Sequence, residues 1–378
     1  MERVLFIPHG SDPNLKIRGF DLARALAERG DCQIYYLEQA RNFSAGFWDK
    51  LTFLVREATR PITIEAPKKN FSVVRIPYLH LGLSPRTLPL IRALARGQIS
   101  RLIRQLKPTI VINESYFAIA VPGSPRYRLI YDLVDNHLPG AIDGWFGQIV
   151  GNFTMKQLKQ ADRIWSISHT LVDELNRLGY PNVRYVPNGT ALADFGQVGA
   201  TARTAARQKL GLANEYVIGY IGNHAYWSGI DFVLDLARQS PASWLYLIVG
   251  AGTEVEQLDR TQVPTNVRFV GAIPRSQVSD YFLALDVGIL PFRKMPLTDG
   301  ALPIKIIDYG AARKLVVAEP LAELVRLGLP HVIFPKARTV TAWLASLEKA
   351  RTHDWQTSWQ KRIEAYDWHA IAQTITWQ

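Results

Sequence analysis

Along most of the chain, apolar runs of strand length alternate with stretches whose apolar residues recur at helical spacing. Residues 4–7, 19–29 and 33–37 open this succession, which predicts a parallel sheet with helical crossovers. Further strands are expected at 72–76, 109–112, 128–133, 163–167 and 183–186, with helices at 85–105, 146–160 and 170–178. Pro187, Asn188 and Gly189 interrupt the pattern and mark a domain boundary before a helix at 204–210. The alternation then restarts, with strands at 216–221, 244–249, 267–270, 287–290, 315–318 and 332–334. Helices are expected at 230–238, 277–284, 304–312, 322–327 and 342–351. Trp355, Trp359, Ile363, Tyr366, Ile371 and Trp377 space out a last helical segment, an aromatic stripe of the kind that packs. The expected architecture is α/β: two doubly wound, Rossmann-like domains, 1–187 and 188–351, with strand ends facing a central cleft. A helical segment, 352–378, is expected to cross back to the first domain.

A length of 378 residues suits two such domains, and 48% hydrophobic against 20% charged residues leaves no room for a long disordered tail. Cys32 is the single cysteine, which excludes an intramolecular disulfide and a zinc site of paired cysteines and suits a reducing compartment. The first apolar run is too short for a signal peptide, and no apolar stretch is long enough to span a bilayer. A cytoplasmic location, peripheral at most on a membrane, is therefore expected. The net charge of +11 is uneven: residues 1–189 carry 25 Lys/Arg against 16 Asp/Glu, the remainder 19 against 17. Residues 41–107 alone hold 13 bases and three acids, a field suited to nucleic acid, anionic lipid headgroups or a phosphorylated acceptor.

Ligands of doubly wound sheets bind outside the carboxyl ends of the strands. The first strand is followed by Pro8-His9-Gly10-Ser11-Asp12-Pro13, and Gly250-Ala251-Gly252 lacks a third glycine, so neither stretch makes a dinucleotide fingerprint. No Walker lysine motif and no histidine pair at metal-ligand spacing is present, so neither a nicotinamide cofactor nor a metal is expected.

Several stretches carry a family resemblance: Ala161-Asp162-Arg163-Ile164-Trp165-Ser166-Ile167-Ser168, Val186-Pro187-Asn188-Gly189, and Ile218-Gly219-Tyr220-Ile221-Gly222-Asn223. Asn266 to Pro274, Asp286 to Arg293 and Pro303 to Ala311 complete the series in the same order. Together they resemble the GT-B glycosyltransferases, in particular the nucleotide-sugar enzymes often called family 4 and their bacterial envelope polysaccharide and glycolipid subgroup. The resemblance implies a nucleotide-sugar-dependent glycosyltransferase, a hexosyltransferase, whose second domain binds the donor, most readily a UDP-sugar, without a further cofactor.

A diphosphate needs neutralising charge, and Arg293 follows a strand's carboxyl end while Lys305 opens a helix whose free amides also favour phosphate. Asp308 stands at the family's usual glutamate and resembles a ribose-hydroxyl acceptor. Gly222, Asn223, Ile273 and Asp299 fall on or beside its donor-binding segments. Where the family often has a base after the first glycine and a lysine before the next, this chain has Asn223 with His224, and Ser228. Diphosphate binding is thus left to Arg293, Lys305 and backbone amides. In the first domain His9 and Gly10 end a strand and border the expected diphosphate site. Tyr131-Asp132-Leu133-Val134-Asp135-Asn136-His137 resembles the family's "YD-VD" segment. A carboxylate there could take or orient the acceptor proton. The spacing of Asp132 and Asp135 puts one of them inward on a strand, and Asp135 is the favoured candidate.

Phe43, Phe47, Trp48, Lys50, Phe53, Leu54 and Arg56 interleave aromatic and basic residues, a pattern suited to an anionic membrane surface and hence to a lipid or lipid-linked saccharide acceptor. Two other classes share part of these features. A sugar-nucleotide epimerase of the same architecture would need no acceptor. A basic nucleic-acid-binding protein is favoured by charge alone, with no helix-turn-helix, zinc or RNP motif beside it.

Overall fold

The computed structural model describes residues 1–10, 17–38, 62–76 and 86–377. The chain divides into two compact units, Met1–Val186 with Ile371–Gln378, and Pro187–Ala370. The segment expected as a separate piece at 352–378 is therefore divided: Trp355 and Trp359 pack on the second unit's core around Ile363, while Trp377 donates from Nε1 to Asp31 (2.9 Å) in the first unit.

The first unit holds strands β1 (Glu2–Ile7), β2 (Cys32–Glu38), β3 (Thr63–Lys68), β4 (Phe71–Arg75), β5 (Ile110–Asn113), β6 (Arg128–Leu133), β7 (Arg163–Ser166) and β8 (Val183–Tyr185). Their order is β3-β4-β2-β1-β5-β6-β7-β8, parallel throughout except for the antiparallel pair β3/β4. Val4 pairs with Ile34 on one side and Ile110 on the other, which makes β1 a central strand and explains why residues 4–7 are all apolar and buried. Strand β3 was not among the expected elements. Its sequence Thr-Ile-Glu-Ala-Pro-Lys is exposed at every position, so no buried face prints a pattern, and its proline is tolerated because the strand lies at the sheet edge.

The second unit holds β9 (Tyr216–Ile221), β10 (Trp244–Val249), β11 (Val267–Gly271), β12 (Val287–Leu290), β13 (Leu315–Ala318) and β14 (Val332–Ile333), all parallel in the order β11-β10-β9-β12-β13-β14. These strands lie where hydrophobic patterning places them. Helix Ile304–Ala311 docks closely on β12 because Gly288 has no side chain: a Cβ there would lie 2.5 Å from the Tyr309 ring. The Tyr309 hydroxyl donates to the Gly219 carbonyl (2.8 Å), which fixes the helix against β9 as well and sets the position of Lys305 on its first turn.

Candidate functional site

In a doubly wound sheet, the loops leaving the two strands at the reversal of strand order part and leave room for a ligand. In the second unit that reversal lies between β9 and β12. The loop after β9 is Gly222, Asn223 and His224; the loop after β12 is Pro291, Phe292 and Arg293. Lys305 reaches this point: its Nζ donates to the Tyr220 hydroxyl (3.0 Å) and sits 4.2 Å from the Tyr220 ring centroid and 4.8 Å from that of Phe292. A Cβ on Gly222 would lie 2.5 Å from this ammonium, so the lysine rests directly against the glycine backbone. Burial lowers the Lys305 pKa from 10.5 to about 7, with Asp308 opposing the shift. Such a cation gains from an anion that joins it.

The loops after β9 and β10 meet backbone to backbone. A Cβ on Gly250, whose φ is +125°, would lie 1.9 Å from the Gly222 carbonyl oxygen. His224 is buried beneath them, with Nε2 3.2 Å from the Val249 carbonyl, and burial lowers its pKa to about 4, so its ring is neutral and Nε2 donates. It cannot replace the base that the family often has here.

Three expected donor residues have other partners. Arg293 bonds Asp231 (2.9 Å) and Glu254 (3.1 Å), so two carboxylates already compensate its charge. Glu254 also accepts from Ser228 Oγ (2.6 Å) and the Ile230 amide (3.2 Å), tying together the loop, the start of helix Ile230–Gln239 and Arg293. Asp299 accepts from the Ala322 amide (2.7 Å), the first N–H of helix Ala322–Leu327, and so satisfies a donor the helix itself leaves unpaired. Asp308 is buried and accepts from the Thr190 hydroxyl (2.5 Å), which ties it to the segment after Pro187. Asn188 secures the same segment by donating to the Leu302 carbonyl (2.6 Å). Ile273 is half-buried after β11 and packs on the second unit's core. Asn223 offers its carbonyl to the Tyr220 hydroxyl (2.7 Å), so Tyr220 links the loop to Lys305.

In the first unit the strand order reverses between β1 and β5. His9 follows β1 and Glu114 follows β5; the His9 peptide N–H and Nδ1 both lie 3.1 Å from Glu114 Oε2. Gly10 offers its carbonyl to the Tyr36 hydroxyl (3.4 Å). Arg18, the first residue of helix Arg18–Arg29, grips both oxygens of Asp132 at 3.0 and 3.1 Å, donates to the Val186 carbonyl (2.9 Å), and lies 4.0 Å from Glu114 Oε1. Asp132 is thus paired and buried, whereas the Asp135 carboxylate has no hydrogen-bond or ion-pair partner among the described residues. The face argument behind that choice needs correcting. β6 ends at Leu133, so Asp135 lies beyond the strand, and both carboxylates act on His9.

Burial raises Asp132 to about 6 against the opposing pull of Arg18, and raises Asp135 to about 6 against His9 and Arg18. Burial alone would lower His9, but the Glu114 hydrogen bond and charge, with Asp135 and Asp132, outweigh it and leave the imidazole above its ordinary 6.5. His137, stacked on Tyr116 at 4.4 Å, is driven down to about 3 by burial. Glu114 and Arg18 were not among the sequence candidates. The available signal was topological: Glu114 is a carboxylate directly after a central apolar strand. Among the described residues no group of three or more His, Cys, Asp or Glu is placed to hold a metal ion.

Two family models match the chain: Glycosyltransferase Family 4 over residues 20–194 and Glycosyl transferases group 1 over residues 215–351. Among curated proteins it is similar to the putative teichuronic acid biosynthesis glycosyltransferase TuaH of Bacillus subtilis, 26% identical over 258 residues. That match covers 63% of this chain and 64% of the relative, just under two thirds of its length. Among solved structures it is similar to sucrose-phosphate synthase from Thermosynechococcus elongatus, with a TM-score of 0.73 at 17% identity over 99% of this chain and 97% of the other. Anabaena HepE, solved in complex with UDP-glucose, gives a TM-score of 0.67 at 16% identity, covering 99% and 98% of the two chains. At these identities the likeness to solved structures is one of fold.

Proposed function

The chain belongs to the GT-B glycosyltransferases, and we propose that it moves a sugar from a nucleotide-sugar donor, a UDP-sugar, to a hydroxyl of a lipid or lipid-linked saccharide acceptor. The observation that carries the donor half is Lys305: an ammonium set against the Gly222 backbone at the strand-order reversal of the second unit, as a diphosphate requires. The UDP-glucose bound by HepE supports the choice of base. Arg293 has a lesser part in this reading, because Asp231 and Glu254 hold it.

The acceptor half draws on the relative's association with teichuronic acid synthesis and on the first unit's surface. Helix Leu88–Leu106 contains four arginines and no acid, and exposes Leu90 (53%) and Leu94 (39%) together with Arg96, Arg101 and Arg104. Apolar side chains beside unopposed cations suit an anionic lipid surface, where each base contributes about 1 kcal/mol. The aromatic and basic stretch from Phe43 to Arg56 lies outside the described residues. No helix among them is long and apolar enough to cross a membrane.

Calorimetric titration with UDP, GDP and ADP, followed by UDP release from UDP-glucose and related UDP-sugars with dodecyl glucoside in phosphatidylglycerol vesicles, tests the reading. UDP binding and acceptor-dependent release are expected. Binding of none of the nucleotides would refute the donor assignment, and rearrangement of the sugar nucleotide without acceptor would favour an epimerase. Failure to sediment with phosphatidylglycerol vesicles at low salt would remove the lipid acceptor.

A further inference from the structure

We propose that the aromatic surface formed by Tyr116, Phe117, Trp145 and Phe146 on the first unit is a subsite for a neutral sugar ring, whose hydroxyls Asp135 accepts. The inference rests on the glycosyltransferase reading for calling that sugar the acceptor, and it commits the acceptor to a saccharide, lipid-linked or free.

Three segments meet here. The loop after β5 carries Tyr116 and Phe117, the loop after β6 carries Asp135, and helix Gly144–Gln160 begins with Trp145 and Phe146. All leave the carboxyl ends of neighbouring strands, the side on which doubly wound sheets take ligands. The rings follow one another without a break. Centroids lie 5.9 Å apart from Trp145 to Phe146, 5.9 Å from Phe146 to Phe117, 4.9 Å from Phe117 to Tyr116 and 4.4 Å from Tyr116 to His137. Trp145 is 46% exposed, the largest apolar side chain so exposed among the described residues, and Tyr116, Phe117 and Phe146 are half-buried. A contiguous row of accessible rings differs from the apolar residues that scatter singly over any surface.

Buried polar groups hold the backbone beneath the row. Asn113 Nδ2 donates to the Ile119 carbonyl (3.1 Å) and to Gln157 Oε1 (3.0 Å), while Asn113 Oδ1 accepts from the Ser115 amide (3.0 Å). Ser115 Oγ accepts from the Ile119 amide (3.0 Å), and Arg92 Nε donates to the Phe117 carbonyl (2.8 Å). The turn that presents Tyr116 and Phe117 is therefore fixed. Glycines seat the helix as closely: a Cβ on Gly147 would lie 1.8 Å from the Ile142 carbonyl oxygen, and one on Gly151 2.9 Å from Pro139 Cα. Rings held in place beforehand lose little freedom when a ligand stacks on them.

The local charge selects the ligand. Residues 113–125 and 134–155 contain no Lys or Arg and three carboxylates, Glu114, Asp135 and Asp143, within a chain of net charge +11. Arg92 is turned to the Phe117 carbonyl and to the Phe153 ring, 5.2 Å from its centroid. Phosphates, nucleic acids and anionic headgroups need opposing cations and are disfavoured. An alkyl chain suits the rings but would set hydrocarbon against the Asp135 carboxylate, which has no hydrogen-bond or ion-pair partner among the described residues. A pyranose matches both features: its C–H face covers an aromatic ring, and its rim hydroxyls donate to a carboxylate. The Tyr116 phenol, raised by burial and by the Asp135 charge, stays protonated and can donate to a sugar oxygen.

Saturation-transfer NMR on the intact chain tests this without any donor. The probes are methyl β-glucoside, methyl β-galactoside and methyl N-acetyl-β-glucosaminide, with methyl β-glucuronide as the charged control. At least one neutral glycoside should take up saturation through its ring C–H protons, and the glucuronide should bind more weakly. Trp145→Ala should weaken the neutral glycoside about tenfold, with Trp145→Phe intermediate and serving alone if the alanine variant does not fold. With dodecyl glucoside and a UDP-sugar that the wild type turns over, Trp145→Ala should raise the acceptor KM about tenfold, with kcat and the Kd for UDP within about twofold of wild type. Saturation of no neutral glycoside, undiminished binding in both Trp145 variants, or preference for the glucuronide overturns the proposal. So does loss of phosphatidylglycerol-vesicle binding in Trp145→Ala with sugar binding intact, which would make the rings a lipid contact. Absence of UDP binding in the wild type overturns the glycosyltransferase reading instead, and the glycoside titration then still decides the subsite.

Discussion

Asp132→Asn tests whether the buried Asp132 carboxylate is structural. In the folded chain the Arg18 guanidinium is 2% exposed and, among the described residues, donates to the two Asp132 oxygens at 3.0 and 3.1 Å and to the Val186 carbonyl at 2.9 Å. Removing one partner of a buried pair costs about 3–5 kcal/mol, because the remaining charge stays buried and uncompensated. Asparagine still offers one acceptor oxygen, which puts Asp132→Asn near 3 kcal/mol, whereas Asp132→Ala offers none and belongs near 5 kcal/mol on the same scale. At roughly 2–4 °C per kcal/mol for a unit of this size, the first unit's melting transition should fall by about 6–20 °C across the two variants. Scanning calorimetry at about pH 8, above the Asp132 pKa of about 6, reads this directly, and UDP titration reports the second unit independently. Asp135→Asn, which breaks no bond among the described residues, should melt within about 2 °C of wild type on that scale. Arg18→Met with Asp132→Leu removes both charges and should recover much of the loss, since apolar replacement of a buried pair is often neutral or stabilising by about 1–4 kcal/mol. Equal melting of Asp132→Asn and wild type would refute the reasoning, as would a double variant no better than the single ones.

Lys305→Ala should weaken UDP binding about tenfold or more, the equivalent of a charge-assisted bond of roughly 1.5–3 kcal/mol, with the fold intact by circular dichroism. Because its folded pKa is lowered from 10.5 to about 7, the unfolded chain binds more protons across that window. This group's contribution to stability is therefore least below it and rises with pH through it, while UDP affinity falls over the same range as the ammonium is lost. Lys305→Arg, always charged, should flatten the affinity profile in titrations from about pH 7 to 9. Asp299→Ala should lower stability by about 1 kcal/mol through the lost helix cap and leave UDP affinity unchanged, a pairing that a urea melt and one titration check. Gly250→Ala forces a side chain into left-handed backbone against the Gly222 carbonyl; about 1–3 kcal/mol of strain, seen as a lower Tm, and weaker UDP binding should follow.

Much of the fold was legible in one dimension because these strands are covered on both faces. β9, β10, β12 and β13 are short, almost wholly apolar runs flanked by Gly, Pro or charged and polar residues, and burial of that kind leaves its mark residue by residue. Strand β3 left none, since an exposed edge strand is specified by its pairing with β4 and by no periodicity of its own. The loop glycines were legible too, because close backbone approach demands that residue type at the ends of particular strands.

What each charged side chain does was decided only by tertiary structure. Arg293, Asp299 and Asp308 carry the right chemistry in the right segments, yet Glu254, the Ala322 amide and Thr190 take them up. Glu114 lies 105 residues from His9 and Arg18 lies 114 from Asp132, pairings that exist because parallel strands bring distant carboxyl ends side by side. Hydrophobic pattern is a property of each segment and survives in sequence. Electrostatic partnership depends on separations of 3 to 4 Å between groups that share no local signal, and only the folded sheet sets those separations.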